Sequence, residues 1–302
     1  MERRVWKIVE RRVWKIVERK VWKIVERRVW EIVERREWKI VERREWKIVE
    51  RRVWEIVERR EWKCLNGKPG KKKKVNFAAQ MGTMINTVIF DMDGLLVDSE
   101  PLWGLAMQDV FQSVGVQLTP DLWHKTTGLR TKEVVNYWHN HFKWTGKSEE
   151  QVTDEIISRV IGMIIAEGRS MEGLHYILDF FKERKFKIGL ASSSPKRLID
   201  AVIAHLGIRD YFQAVTSAEF EDYGKPHPAV YLACAKALGS SPLECIAFED
   251  SVTGMTAAKA ARMITVVVPE PHNRQDPRYA LANLRLNSLL EFNDAKLLAV
   301  QH

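Results

Sequence analysis

At 302 residues, 45% of them hydrophobic, the chain is long enough for one or two cored domains with extensions. The net charge of +9 suggests a nucleic-acid partner, but residues 1–83 hold 27 Lys+Arg against 13 Asp+Glu, whereas residues 84–302 hold 22 against 27. The globular part is therefore mildly acidic and excludes a nucleic-acid surface, and the lack of any apolar run near roughly 18 residues excludes a membrane span.

From Glu2 to Lys63 the chain repeats the octet Glu-Arg-Arg-Val-Trp-Lys-Ile-Val, which places Trp at 6, 14, 22, 30, 38, 46, 54 and 62. The apolar spacing within one octet suits a helix face, yet eight residues turn an α-helix through about 800°, so the stripe advances about 80° per repeat and forms no single seam. An octet is also shorter than the roughly 20 to 50 residues of a solenoid unit. Its variants, such as Val5 against Glu37 and Lys7 against Glu31, are single-base neighbours, so a tandem DNA repeat read in frame explains the pattern equally well. The N-terminus shows no signal-peptide core. Residues 64–83, with Gly67, Pro69, Gly70 and the run Lys71 to Lys74, read as a flexible basic linker. Residues 1–83 are expected to be dispensable for any catalysis, and Met84 opens the first segment of a domain.

Beyond Met84, short β-branched runs alternate with helical stretches. Strands are predicted at Thr87 to Phe90, Phe186 to Leu190, Ala214 to Thr216, Cys245 to Phe248 and Ile264 to Val268, and the alternation argues for an α/β fold, a parallel sheet covered by helices on both faces. Residues 101–170 offer helices only, at Lys132 to His141 and Glu149 to Ala166. They are read as a helical domain inserted into a core of residues 84–100 and 171–302. Cys64, Cys234 and Cys245 are odd in number and lack C-x-x-C pairing, which fits reduced thiols in a cytoplasmic protein, the last two in the core.

Ligands of an open α/β sheet bind beyond the carboxyl ends of its strands. Asp91, Ser192 and the pair Glu249-Asp250 each follow a predicted strand, and Lys225 lies in a loop after another, so four sequence-distant groups converge on one crevice. Two carboxylates one residue apart, Asp91 and Asp93, can act as nucleophile and acid on one phosphate. A hydroxyl and an ammonium can hold its oxygens, and the distal acidic pair can complete a magnesium site. Ser192 to Ser194 can also supply a helix N-cap before Pro195. His139 and His141 form an H-x-H pair, but on a helix they point about 200° apart and read as a solvated polar face.

On Asp91-Met92-Asp93-Gly94, Ala191-Ser192-Ser193-Ser194, Lys225-Pro226 and Glu249-Asp250-Ser251, residues 84–302 resemble the haloacid dehalogenase (HAD) superfamily, in its phosphatase and phosphomutase group with a small helical cap. Thr127-Gly128-Leu129-Arg130, Trp138 with Trp144, and Asp276-Pro277-Arg278 look closest to the hexitol phosphatase and 2-deoxyglucose-6-phosphate phosphatase type. The resemblance implies a Rossmann-like core with residues 101–170 as the cap. It implies Asp91 as nucleophile and Asp93 as acid and base. Mg²⁺ would be held by Asp91, the Asp93 carbonyl, Asp250 and, directly or through water, Glu249. Phosphate would be bound around Asp91, Met92 and Asp93 by Ser192, Ser193 and Lys225, with Arg130 on the non-reacting part of the substrate. Dehalogenases of the superfamily carry no acidic residue at the position of Asp93, because a halide leaves without a proton, so phosphoryl chemistry is expected.

The expected function is a cytoplasmic, monomeric, Mg²⁺-dependent phosphatase of small sugar or polyol phosphates, without nucleic-acid or membrane partners for its core. The enzyme alternative is a β-phosphoglucomutase-like mutase using the same residues. The alternative from another class is an interaction protein working through the octet arm.

Overall fold

The computed structural model describes residues 85–301 apart from 120, 121, 123–125 and 127. The octet extension, the linker, Cys64, Met84 and Thr127 lie outside the described residues.

Six strands form one sheet: β1 (Thr87–Phe90), β2 (Lys187–Ser192), β3 (Ala214–Ser217), β4 (Cys245–Glu249), β5 (Ile264–Val267) and β6 (Leu284–Arg285). Their order is β3-β2-β1-β4-β5-β6 and every neighbouring pair is parallel. This is the Rossmann-like α/β arrangement expected. The two-residue edge strand β6 was not foreseen, since Leu284 and Arg285 are too few for a period to show. Strand β1 lies at the centre, with Phe90 in register with both Leu190 and Phe248.

Burial on both faces explains the apolar strand sequences. Val88 and Phe90 point into one apolar cluster, while Ile89 between them points into another. The first face is covered by α4 (Leu174–Glu183) and α5 (Lys196–His205), where Phe90, Phe181, Phe248 and Phe292 pack edge to face. The second is covered by α6 (Ala229–Ala237) and α7 (Val252–Ala260), whose small Ala257 and Ala258 bring the helix close to the sheet. The last helix, α8 (Asp294–Gln301), puts Leu297 into the first cluster. Cys234 and Cys245 are buried and free, as expected from their spacing.

Between β1 and β2 the chain runs through α1 (Glu100–Ser113), α2 (Thr131–Phe142) and α3 (Glu149–Glu167). The start of α3 is set by Ser148, whose hydroxyl accepts from Gln151 N at 3.2 Å while the Gln151 side chain accepts from Ser148 N at 2.9 Å. Helices α1 and α2 both pack on α3. Their apolar faces, with Val110, Val135, Trp138 and Ile156, belong to the same cluster as the sheet residues Val88 and Phe90. His139 is more engaged than a solvated face implies: its Nδ1 lies 2.9 Å from a Glu149 oxygen, and its ring packs edge-on against Trp144. Among the described residues no helix is long and apolar enough to cross a membrane.

Gly189, on the second face of β2, lets α6 approach. A Cβ there would lie 2.5 Å from Cys234 Sγ and 2.8 Å from Leu238 Cδ1, both buried. Gly189→Val is therefore expected to cost about 1–3 kcal/mol through overpacking, read as a lower urea midpoint at unchanged m-value. An unchanged midpoint would mean that α6 yields freely.

Candidate active site

The carboxyl ends of β1, β2 and β4 deliver the groups that the sequence singled out. Asp91 follows β1, held by its amide donating to Phe248 O at 3.0 Å. Ser192 ends β2, Glu249 ends β4 and Asp250 follows it. Lys225 arrives from the segment between β3 and α6 and donates from Nζ to Asp91 Oδ1 and to Glu249 Oε1, each at 2.7 Å. All three side chains are nearly or fully excluded from solvent.

Glu249 is fully engaged. Its Oε1 also accepts from the Tyr231 hydroxyl at 2.6 Å, and its Oε2 faces the Asp250 amide and the Ser251 amide and hydroxyl at 3.3–3.4 Å. Tyr231 could not be found from sequence, because it lies on the buried face of α6 and reads there as a core aromatic.

Asp93 reaches the same cavity from the other side. Its Oδ1 accepts from Ser99 Oγ at 2.7 Å and Trp103 Nε1 at 3.0 Å, while its Oδ2 accepts from Ser194 Oγ at 2.7 Å and faces Ser192 Oγ at 3.5 Å. Ser99, Trp103 and Ser194 were missed as site residues, although Ser99 and Trp103 lie within ten residues of Asp93. The serines do not cap α5: the residue preceding that helix is Pro195, no side chain caps it, and the Ser192 hydroxyl instead accepts from Ser194 N at 3.0 Å. The Ser194 hydroxyl goes to the Asp93 carboxylate and the Ser193 hydroxyl to Gly128 O.

Asp91, Asp93, Ser192, Ser193, Lys225 and Asp250 line one cavity of about 70 Å³. The Met92 side chain is in the core, and its carbonyl closes the turn by accepting from Leu96 N at 2.9 Å. Arg130 does not join them. Its guanidinium donates to Ala218 O at 3.2 Å and Glu221 O at 2.9 Å and pairs with Glu133, so it ties the start of α2 to the loop after β3. From the helical segment, the cavity is instead lined by Glu100, Trp103, Met107, Thr126, Leu129 and Thr131.

The electrostatics are strained toward negative charge. Burial, then the charge of Glu249, push the Asp91 carboxyl up to about 7 despite Lys225. Burial, then Glu249 and Asp91, raise Asp250 well above the usual carboxylate range. Burial would lower Lys225, but the charges of Asp91 and Glu249 outweigh it and hold its ammonium above the ordinary lysine value. One ammonium thus faces a cluster in which oxygens of Asp91, Glu249 and Asp250 lie within 4.8 Å of one another. The hard oxygen donors and the uncompensated charge fit a divalent cation. The backbone leaves room as well: Gly94 has φ +70°, and a Cβ there would lie 2.5 Å from Asp250 Oδ2.

Residues 85–262 match the family model described as haloacid dehalogenase-like hydrolase. Over 219 residues the chain is 45% identical to hexitol phosphatase B of Escherichia coli O157:H7, covering 71% of this chain and 97% of that protein. It is 29% identical over 181 residues to the fructose-1-phosphate phosphatase YqaB of Escherichia coli strain K12, covering 60% and 95% of the two chains. Among solved structures it is similar to β-phosphoglucomutase from Clostridium difficile, with TM-score 0.63 and 25% identity over 72% of this chain and 97% of the other.

Removing the Tyr231 hydroxyl leaves Glu249 Oε1 with Lys225 alone in a dry site. Tyr231→Phe is expected to destabilise the fold by about 1–3 kcal/mol, the range for a buried hydrogen bond to a charged group, measured by urea denaturation. A change under about 0.5 kcal/mol would mean that Lys225 satisfies the carboxylate by itself.

Proposed function

Because the chain belongs to the haloacid dehalogenase-like hydrolase family, we propose that it is a Mg²⁺-dependent phosphatase of small sugar or polyol phosphates, hexitol phosphates foremost, working through an aspartyl-phosphate on Asp91. The observation that carries this reading is the placement of Asp91 and Asp93 on one cavity, with Lys225 Nζ 2.7 Å from Asp91 Oδ1. The similarity to two sugar or polyol phosphate phosphatases supports the substrate class. The buried free thiols are compatible with a reducing compartment, and the proposed enzyme works in the cytoplasm as a monomer.

In this reading Asp91 attacks phosphorus while the P–O bond to the leaving group breaks. Lys225 holds one oxygen of Asp91, which leaves the other directed at the phosphorus, and it offsets charge as the phosphoryl group approaches. Ser192, the Ser193 amide and the backbone amides around Met92 and Asp93 bind the phosphoryl oxygens. Asp93 gives a proton to the departing alkoxide, then takes one from the water that attacks the aspartyl-phosphate, releasing inorganic phosphate and restoring Asp91. Ser99, Trp103 and Ser194 fix its carboxyl so that it can face the leaving oxygen. Asp91, Asp250 and the Asp93 carbonyl would hold Mg²⁺, with Glu249 contributing through its neighbours. When bound, the ion supplies positive charge that lets a carboxylate approach a phosphate dianion.

The cavity is far smaller than the roughly 300–1,000 Å³ of ordinary ligand clefts. Helices α1 to α3 therefore act as a cap that swings away to admit substrate and then shuts out bulk water. Arg130 belongs in this reading to the contact between cap and core, as its carbonyl partners indicate.

The mutase reading draws support from the likeness to β-phosphoglucomutase. A phosphate-release screen separates the two: the phosphatase frees inorganic phosphate from hexitol phosphates in excess Mg²⁺ and loses the activity in EDTA. Conversion of glucose 1-phosphate into glucose 6-phosphate without phosphate release would favour the mutase instead. Within the phosphatase reading, Asp91→Asn should reduce kcat by several orders of magnitude. Asp93→Asn should reduce kcat on a hexitol phosphate much more than on p-nitrophenyl phosphate, whose phenolate leaves without a proton. Equal losses on both esters would remove Asp93 from the acid role.

A further inference from the structure

One carboxyl on the cavity takes no part in the scheme above. Glu100, the first residue of α1, lines the cavity beside Asp93, Trp103 and Thr126, and it is half-buried there. The other polar groups nearby are occupied: Asp93 has its serine and tryptophan donors, the Ser193 hydroxyl donates to Gly128 O at 3.1 Å, and Thr126 Oγ1 accepts from Trp138 Nε1 at 3.4 Å. The Glu100 side chain makes no hydrogen bond or ion pair with any described residue. Burial, then the charges of Glu270 and Asp93, push its carboxyl up to about 8. A half-buried carboxyl whose oxygens reach solvent but meet no donor from the described residues is open to a donor from a ligand.

The position of Glu100 narrows what could supply those donors. It is not part of the cluster of Asp91, Glu249 and Asp250 that fits a cation. It lines the same cavity as Asp93, where Trp103, Met107, Leu129 and Val134 contribute apolar surface, and Asp93 is among the charges that act on it. The only cation among the described lining residues, Lys225, is committed to Asp91 and Glu249. An alcohol on the leaving group would donate to the Glu100 carboxyl.

Resting on the phosphatase reading, we infer that Glu100 binds a hydroxyl of the departing polyol and selects a hydroxyl-bearing leaving group over one that lacks hydroxyls. A site built around a substrate hydroxyl rejects analogues without it, because its own polar group is then left unpaired.

The experiment compares kcat/KM for sorbitol 6-phosphate and for p-nitrophenyl phosphate, in excess Mg²⁺, for the full chain and its variants Glu100→Leu and Glu100→Gln. The ratio of the two constants is expected to fall at least fivefold in Glu100→Leu, chiefly through KM for the sorbitol ester. Glu100→Gln keeps an acceptor oxygen and should lose less. A fall below fivefold in Glu100→Leu overturns the assignment, because a residue that merely supports the site would damage both esters alike. Should Glu100→Leu not fold, the same ratio is read in Glu100→Gln at pH 8.5, where less than a twofold fall overturns it. If the unaltered chain fails to prefer sorbitol 6-phosphate over p-nitrophenyl phosphate, the substrate class itself is wrong, an outcome visible without any variant.

Discussion

The ammonium of Lys225, shared between Asp91 and Glu249 at 2.7 Å each, is the interaction on which the rest of the site depends. It joins the ends of β1 and β4 through a lysine from the far side of the sheet's centre, in a place with almost no water. Two charges of one sign and one of the other do not cancel, and Asp250 adds to the excess. Breaking such a buried pair is costly because the survivor is left uncompensated. The same imbalance makes the site receptive to a divalent cation, and in the proposed reaction it orients the nucleophile by occupying one of its two oxygens.

Around this pivot the work is divided between two parts of the chain. The carboxyl edge of the sheet holds Asp91, Ser192 and Asp250, the groups proposed to act on phosphorus. Helix α1 supplies Trp103, which holds Asp93, and Glu100, which lines the cavity. Since α1 to α3 share one apolar cluster with the sheet, nonpolar surface is buried where they meet it. The hydrogen bonds of Arg130 to the loop after β3, and of Ser193 to Gly128, add polar contacts along the same boundary.

Much of this was legible in sequence because short-range rules carry it. Five of six strands follow from β-branched runs, and two of the three helices between β1 and β2, α2 and α3, follow from the sequence, whereas α1 was not singled out. Asp91, Asp93, Ser192, Lys225, Glu249 and Asp250 could be proposed as neighbours because a parallel sheet collects strand ends on one edge, so position after a strand already implies the crevice. Ser194, Trp103 and Tyr231 could not, since a serine beside a proline and aromatics on helices have ordinary structural roles, and only their partners distinguish them.

The sequence by itself determined the fold class, the topological edge where charge gathers and the pairing of two carboxylates one residue apart, because these depend on periodicity and on the local geometry of a strand end. The tertiary structure decided which groups hold them: that Arg130 grips backbone carbonyls, that Ser194 serves Asp93 instead of a helix end, and that Glu100 lines the cavity without a donor among the described residues. Those outcomes turn on side chains competing for partners across 10 to 130 residues of chain, and the winner is fixed by packing, which no local pattern records.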